Sequence, residues 1–189
     1  GRMLIELEKV MSNEKPNLIL LYGDTNSTLA ASIAAAKLKI KIAHVEAGLR
    51  RKIIKETPEE INRILTDRVS DYLFAPSRLS VENLKQEGIT ENVYLTGDVM
   101  YDIYLKMKPR FDYSIIDSLK LKQGSYIMMT LHRDFNVDFP EKLRRILLDV
   151  NRISKEIQVV FPIHPRTRKR MSEFGLENLV SNINIIEPV

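Results

Sequence analysis

The chain has 189 residues, of which 44% are hydrophobic and 29% charged, a balance typical of a globular protein with one domain or two small ones. No apolar run reaches the length of a membrane span and there is no cysteine, so we expect no membrane partner, no disulfide and a cytoplasmic location. The formal net charge of +4 comes from Lys and Arg spread along the chain, apart from the run at 166–170, and gives little support to nucleic-acid binding.

Short apolar runs alternate with helical patterns over the first hundred residues. Asn26 or Ser27 is expected to cap an Ala-rich helix over 27–38. A second helix is predicted to start with Thr57 as N-cap, Pro58 in the first helical position and Glu60 completing a capping box. Strands are predicted at 17–21, 41–45, 71–75 and 92–95.

The same alternation returns in the second part of the chain. Residues 109–123 are charged and irregular and are interpreted as a linker. Beyond them we predict strands at 125–130, 159–163 and 183–186, and helices at 140–157 and 168–174. Strands that alternate with helices favour parallel, doubly wound sheets, so the predicted fold class is α/β with two Rossmann-like domains. The predicted boundaries are 1–108 for the first domain and 124–189 for the second.

Ionisable residues follow the predicted strands where the strands end. They include Asp24 and Glu46 in the first domain and the pairs His132-Arg133 and His164-Arg166 in the second. Ligands of open parallel sheets bind beyond the carboxyl ends of the strands, so we expect these groups to line a cleft between the two domains. Carboxylates and histidine suit proton transfer, and cationic side chains suit a phosphate.

Each of these residues also has a structural interpretation. Asp24 could close an Asx-turn, and Glu46 could form an ion pair with Arg50 at the end of a buried strand. Glu59 and Glu60 could serve only the start of a helix, where the macrodipole favours negative charge. The three histidines are far apart without HxxxH spacing, so no metal site is expected, and no glycine-rich dinucleotide or P-loop motif is present.

Seven segments together resemble the non-hydrolysing UDP-N-acetylglucosamine 2-epimerases. They lie in the order expected of that family across nearly the whole chain, and HVEAGLR followed by PEEINR is the most specific part. The segments are GDTNSTLA (23–30), AHVEAGLR (43–50), PEEINRILTD (58–67), SDYLFAPS (70–77), TGDVMYD (96–102), TLHRDFNVD (130–138) and FPIHPRTRKR (161–170). The resemblance implies a GT-B-type architecture with the active site between two domains, usually in a homodimer, and no nicotinamide or metal cofactor.

The family interconverts UDP-N-acetylglucosamine and UDP-N-acetylmannosamine. The C2 proton is removed while UDP leaves C1, and UDP then adds back to the bound 2-acetamidoglucal as a proton reaches the opposite face of C2. By the resemblance, the catalytic residues are Asp24, Glu46, Glu59 and His132. Arg133, His164 and Arg166 resemble contacts to the UDP-sugar substrate or its phosphates.

The sequence departs from the family pattern at two positions and in its extent. Phe135 stands where the family has the Glu of HRxEN, and Gly97-Asp98 replaces its Gly-Asn. The family's amino-terminal GxRPE loop, its later SGGxQEE segment and its last helix are not in the chain, so we expect the middle of a longer enzyme, truncated at both ends. Three other functions are kept open: a hydrolysing 2-epimerase, an epimerase of a modified UDP-sugar and a non-catalytic nucleotide-sugar-binding module.

Overall fold

The structure is a computed structural model that describes residues 1–51 and 57–188. The chain divides into two compact units, Gly1–Pro109 and Arg110–Val189. Each unit has a parallel sheet with helices, so the predicted α/β class is confirmed. The predicted limits of the two domains and of a linker at 109–123 stay predictions. Among the described residues, no helix combines the length and the apolar character needed to cross a membrane.

The first unit is a four-stranded parallel sheet with strand order β1-β2-β3-β4 in the described residues. Its elements are α1 (Arg2–Glu14), β1 (Leu18–Tyr22), α2 (Asn26–Lys37), β2 (Lys41–Val45), α3 (Pro58–Val69), β3 (Tyr72–Ala75), α4 (Arg78–Gln86), β4 (Val93–Leu95) and α5 (Val99–Met107). The predicted strands are therefore confirmed to within one residue at each end. Alanines of α2 pack with Met11, Leu21 and Ile42 into one core cluster, because small side chains let the helix lie close to the sheet.

The capping of two helices differs from its prediction. Thr25, and not Asn26 or Ser27, is the N-cap of α2, and its hydroxyl accepts a hydrogen bond from the Thr28 N–H at 3.3 Å. The predicted start of α3 is confirmed, with Thr57 as N-cap and Pro58 in the first turn. The predicted capping box is wrong, because the Thr57 hydroxyl has no hydrogen-bond partner within the described residues. The carboxylate of Glu60 instead accepts a hydrogen bond from the backbone N–H of Arg51 at 2.9 Å.

The second unit contains a three-stranded parallel sheet with strand order β5-β6-β7 in the part of the chain that is described. Its elements are α6 (Ser114–Ser118), β5 (Tyr126–Met128), α7 (Asp134–Val137), α8 (Pro140–Ile153), β6 (Gln158–Pro162), α9 (Pro165–Glu173) and β7 (Asn184–Ile186). Two 3-10 helices, Lys108–Arg110 and Glu177–Val180, complete the described structure. Phe161 and Ile163 from the β6 region pack with Leu143 and Leu147 of α8 in the largest core cluster.

Three predictions of local structure in this unit are corrected. The segment 109–123, predicted to be irregular, contains α6. The α8 helix ends at Ile153, where the Ser154 hydroxyl donates to the Asn151 carbonyl at 2.8 Å, and not at 157. The α9 helix begins at Pro165, three residues before the predicted start, because proline suits the first helical position and His164 caps it.

Candidate functional site

The turns after β1 and β2 lie side by side at one edge of the first sheet. Tyr22 pairs with Val45 at the ends of the two parallel strands, and the Gly23 N–H donates to the Val45 carbonyl at 3.2 Å. A Cβ atom at position 23 would lie 3.7 Å from Oε2 of Glu46, so this carboxylate reaches the Gly23 turn. The sheet therefore brings Asp24 and Glu46 to neighbouring positions, as their places after two adjacent strands predict.

Asp24 is held by α3. Its carboxylate forms an ion pair with Arg63, whose Nη1 also donates to Glu60 at 3.0 Å. The Asn62 side-chain amide donates to the Asp24 carbonyl at 2.8 Å and to Oδ1 of Asn26 at 3.1 Å. Because the Asp24 side chain binds Arg63 and not the backbone of its turn, the Asx-turn interpretation is not supported. Two side chains of the PEEINR segment, Asn62 and Arg63, thus fix the GDTN turn, and Glu60 binds Arg63.

Glu46 differs from Asp24 because its carboxylate has no hydrogen bond or ion pair in the described part of the chain. The residue is half-buried and its φ is +70°, in the left-handed region. The structural ion pair considered for Glu46 and Arg50 is wrong, since Arg50 binds Asp67 at 2.8 Å and Glu87 at 2.6 Å. An unpaired, half-buried carboxylate in a strained turn is a feature of a functional site more than of a packed core.

Glu59 lies in the first turn of α3 and is half-buried. The same helix carries Asn62 and Arg63, which bind the Asp24 turn. Glu59 is therefore placed on the element that holds Asp24, in the same unit as Glu46. Its neighbour Glu60 is fully buried and bonded to Arg51 and Arg63, which gives the two glutamates of the PEE segment different surroundings.

A buried ionic network behind this edge was missed by sequence reasoning. The ring of His44 is fully buried, with Nδ1 at 2.6 Å from Asp67 and Nε2 at 2.9 Å from the Gly23 carbonyl oxygen. Asp67 also forms an ion pair with Arg50, and Arg50 forms a second ion pair with Glu87. Burial opposes the charge of Arg50, but the hydrogen bonds that Arg50 donates to Glu87 and the charge of Asp67 outweigh it and raise the Arg50 pKa. The sequence signal that could have revealed this network is a histidine inside an apolar strand, because a buried imidazole needs hydrogen-bond partners.

In the second unit, the structure brings His132 and His164 together. Their ring centroids are 5.5 Å apart and the ring planes make an angle of 32°. Both side chains are exposed and line an open cavity of about 270 Å³ together with Met128, Thr130 and Pro162. Thr130 and His132 follow β5, while His164 follows β6, so this pair also lies beyond the carboxyl ends of adjacent strands.

Two predicted cationic contacts lie beside these histidines in the chain. Nδ1 of His164 accepts a hydrogen bond from the Arg166 N–H at 3.1 Å, which leaves the proton of a neutral ring on Nε2. The Arg166 guanidinium binds Asp138, and this hydrogen bond raises the pKa of Arg166. Bonds from Arg166 and then Arg170 lower the pKa of Asp138. Arg133 is exposed and is the N-cap of α7.

Comparison with known proteins identifies the family. The profile of the family described as UDP-N-acetylglucosamine 2-epimerase matches residues 1–189. The chain belongs to this family. The resemblance seen in the seven sequence segments is therefore confirmed at the level of the UDP-N-acetylglucosamine 2-epimerase family. The 2-epimerase family profile covers both units, including the carboxylate turns of the first and the histidine pair of the second.

Three similar proteins illustrate the relationship to other 2-epimerases. The UDP-N-acetylglucosamine 2-epimerase of Methanococcus maripaludis is 44% identical over 199 residues, which cover 100% of this chain and 54% of that relative. The UDP-2,3-diacetamido-2,3-dideoxy-D-glucuronate 2-epimerase of Pseudomonas aeruginosa is 46% identical over 193 residues, 100% of this chain and 52% of that relative. A crystal structure of Methanocaldococcus jannaschii UDP-GlcNAc 2-epimerase in complex with UDP-GlcNAc and UDP is 42% identical, with a TM-score of 0.86 over 100% of this chain and 54% of that one. The chain spans about half the length of the relatives it matches.

Proposed function

We infer that the protein containing this chain is an epimerase that interconverts UDP-N-acetylglucosamine and UDP-N-acetylmannosamine without net hydrolysis. The observation that carries this proposal is the unpaired Glu46 carboxylate in its left-handed turn beside the Gly23-Asp24 turn. A carboxylate without an ion-pair partner can accept a proton, whereas one held by an arginine is a weaker base. Family membership supplies the reaction for which such a base is needed.

The proposed chemistry is an elimination followed by an addition. A base removes the C2 proton, the C–H electron pair forms the C1–C2 double bond, and the C1–O bond breaks so that UDP leaves with its electron pair. UDP then adds back to C1 of the 2-acetamidoglucal while an acid delivers a proton to the opposite face of C2. Inversion thus requires proton transfer on both faces of one carbon, for which two different carboxylic groups are suited.

We assign one of these proton transfers to Glu46, because Asp24 is neutralised by Arg63. Glu59 is proposed as the second proton-transfer group, and Asp24 as a group that orients the sugar. These roles are separable by experiment, since each carboxylate can be replaced by its amide at nearly constant volume.

The residues of the second unit are proposed to act on the leaving diphosphate. His132 and His164 present exposed imidazoles to one cavity, and an imidazolium or imidazole N–H stabilises a developing phosphate charge. Arg133 and Arg166, which are close in sequence to these histidines, add positive charge, although Arg166 already forms an ion pair with Asp138. Loss of UDP is favoured when such donors are in place before the bond breaks.

A second candidate substrate has support of its own. The 46% identical Pseudomonas aeruginosa relative is named for a UDP-diacetamido-glucuronate, a modified UDP-sugar with the same 2-acetamido group. The same carboxylates could invert C2 of either sugar, because the reacting atoms are alike. A hydrolysing enzyme would use water where the present proposal uses returning UDP, and a binding module would need no proton-transfer group.

The test is proton NMR of each UDP-sugar incubated in D2O with the full-length protein that contains this chain. UDP-N-acetylmannosamine with deuterium at C2 is the expected product from UDP-N-acetylglucosamine, and Glu46→Gln should slow its formation by roughly 100-fold or more. Release of N-acetylmannosamine and UDP would replace the proposal with hydrolysis. If only the diacetamido sugar is turned over, that sugar becomes the proposed substrate. If both sugars bind and neither is turned over, the protein is a nucleotide-sugar-binding module.

The remaining expectations are proposals of the same kind. We propose that the full-length protein is a homodimer, as the resemblance implies, and sedimentation velocity at two concentrations tests this. A monomer at the concentrations used for activity would contradict it. The cytoplasmic location stays a prediction.

A further inference from the structure

A single buried carboxylate joins both sides of the turn that carries Glu46. Asp67, on α3, is 1% exposed. Its Oδ1 lies 2.6 Å from Nδ1 of His44, which precedes the turn. Its Oδ2 accepts a hydrogen bond from the Gly48 N–H at 3.0 Å and binds Arg50 at 2.8 Å, and both of these residues follow Glu46. These three groups flank Glu46 at two residues before, two after and four after, and those of Gly48 and Arg50 donate to Asp67.

The conformation of this turn requires such support. Glu46 has a φ of +70°, which residues other than glycine, asparagine and aspartate seldom adopt. Strained residues of this kind persist only where the surrounding structure holds them. The Ala47 N–H donates to the Phe74 carbonyl at 3.1 Å, so the turn is tied to β3 as well as to α3. The side chain of Glu46 contributes no bond of its own among the described residues.

We propose that Asp67 is a positioning residue that holds the Glu46 carboxylate in its reactive geometry through His44, Gly48 and Arg50. The proposal rests on the proposed function of Glu46, but it concerns a residue that the proposed chemistry does not use. Asp67 is buried behind the turn, so it acts through its neighbours and not on the sugar. Small displacements of a reacting group can lower the rate about 100-fold, which sets the size of the expected effect.

The sharpest variant is Asp67→Asn. Asparagine keeps the volume but removes the negative charge that binds Arg50, and its amide offers one acceptor oxygen where the carboxylate has two. That oxygen can face either the Gly48 N–H or Nδ1 of His44 but not both, so the hydrogen bonds on at least one side of the turn must change. Asp71→Asn is the matched control, because Asp71 follows the same helix and binds the opposite end of the same strand, with Oδ2 at 2.9 Å from the Ile42 nitrogen. Its other partner, Lys41, is exposed and can move into water, so asparagine is tolerated there.

In the full-length protein, Asp67→Asn should lower kcat about 10- to 100-fold and leave KM within about threefold. Asp71→Asn should leave both constants within about twofold. If Asp67 acts through Glu46, it should have no further effect on kcat in a Glu46→Gln background. Independent, multiplying effects in the double variant would overturn the proposal, as would an equal loss of kcat in both asparagine variants.

Amide hydrogen exchange on the same proteins tests the proposal without any activity. Asp67→Asn should speed exchange at Gly48 and leave Ile42 protected, whereas Asp71→Asn should do the reverse. Unchanged protection at Gly48 would overturn the positioning role even if kcat fell. An inactive wild-type protein would refute the proposed function, and the exchange data would still decide whether Asp67 holds the turn. Arg50→Lys, which keeps the cation, is the milder variant if Asp67→Asn does not fold, with an expected loss of kcat of about threefold to tenfold.

Discussion

Two residues of the segment HVEAG have left-handed backbone conformations, for different reasons. Glu46 has a φ of +70° and Gly48 a φ of +78°. At Gly48 the backbone also passes close to α4, and a Cβ atom there would overlap the Ser80 carbonyl oxygen and lie 2.9 Å from Cγ of Leu84. Glycine is therefore required at position 48 by both conformation and space. The spacing of HVEAG could suggest a tight turn, but only the packing of α4 reveals the second requirement.

Gly48→Ala should destabilise the protein by roughly 3 kcal/mol or more, because the new methyl group collides with backbone atoms that cannot move cheaply. Gly88→Ala is the control, since Gly88 has a φ of +77° and no atom lies within 4 Å of the place its new methyl group would take. It should cost about 1 kcal/mol from backbone conformation alone. Urea unfolding of both variants measures the difference, and equal costs would show that the approach of α4 is unimportant.

At the scale of elements, α3 organises the site through polar side chains. The buried residues of this helix are Glu60, Asn62, Thr66 and Asp67, where an amphipathic pattern would place apolar ones. Glu60 binds Arg51, Asn62 binds the Asp24 turn, and Asp67 binds both sides of the Glu46 turn. The helix and its start could be predicted from Thr57 and Pro58. Its buried contacts could not, because they depend on which face of α3 turns toward β2.

The connection between the end of α3 and the start of β2 should make stability depend on pH. Burial opposes ionisation of Asp71, but hydrogen bonds from Lys41 and the Ile42 N–H outweigh it and lower the Asp71 pKa below 3.8. The carboxylate therefore stabilises the folded state above pH 3.8, and this contribution is lost as the pH falls through the lowered pKa. The difference in unfolding free energy between wild type and Asp71→Asn should shrink from pH 6 to about pH 3.

Urea unfolding at several pH values checks this expectation. Glu8→Gln, at an exposed position of α1 without a hydrogen bond or ion pair in the described residues, is the control and should differ little from wild type at any pH. A difference for Asp71→Asn that stays constant with pH would contradict the assigned cause.

At the scale of the whole molecule, each unit has a core of its own. The largest cluster lies in the second unit around Phe161, and two smaller clusters lie in the first unit, one of them around Leu73. Apolar runs and turn residues sufficed to predict both α/β units, because buried parallel strands leave a strong local pattern. The strand-end residues Asp24, Glu46 and His132 could be predicted for the same reason. The pairing of His44 with Asp67 was not predictable from pattern, since it joins residues 23 apart in sequence.

Phe161→Ala should lower the stability of the second unit by about 3–5 kcal/mol, because it removes a fully buried aromatic side chain. Hydrogen exchange should then quicken in β5, β6 and β7, with a smaller change in β1 to β4. Leu73→Ala is the reciprocal variant and should expose mainly the strands of the first unit. Equal loss of protection in both sheets from either substitution would show that the units unfold as one.

At position 46, the residue that best suits the left-handed backbone differs from the residue that the proposed activity needs. Glycine would relieve a backbone strain of about 1–2 kcal/mol there, and asparagine would relieve part of it, but both remove the carboxylate. In a library randomised at this position, selection for abundant folded protein should enrich glycine and asparagine. Selection for a sugar product that depends on the enzyme should retain glutamate. If the two selections enrich these different residues, natural selection has kept an unfavourable backbone conformation at position 46 because the carboxylate is needed.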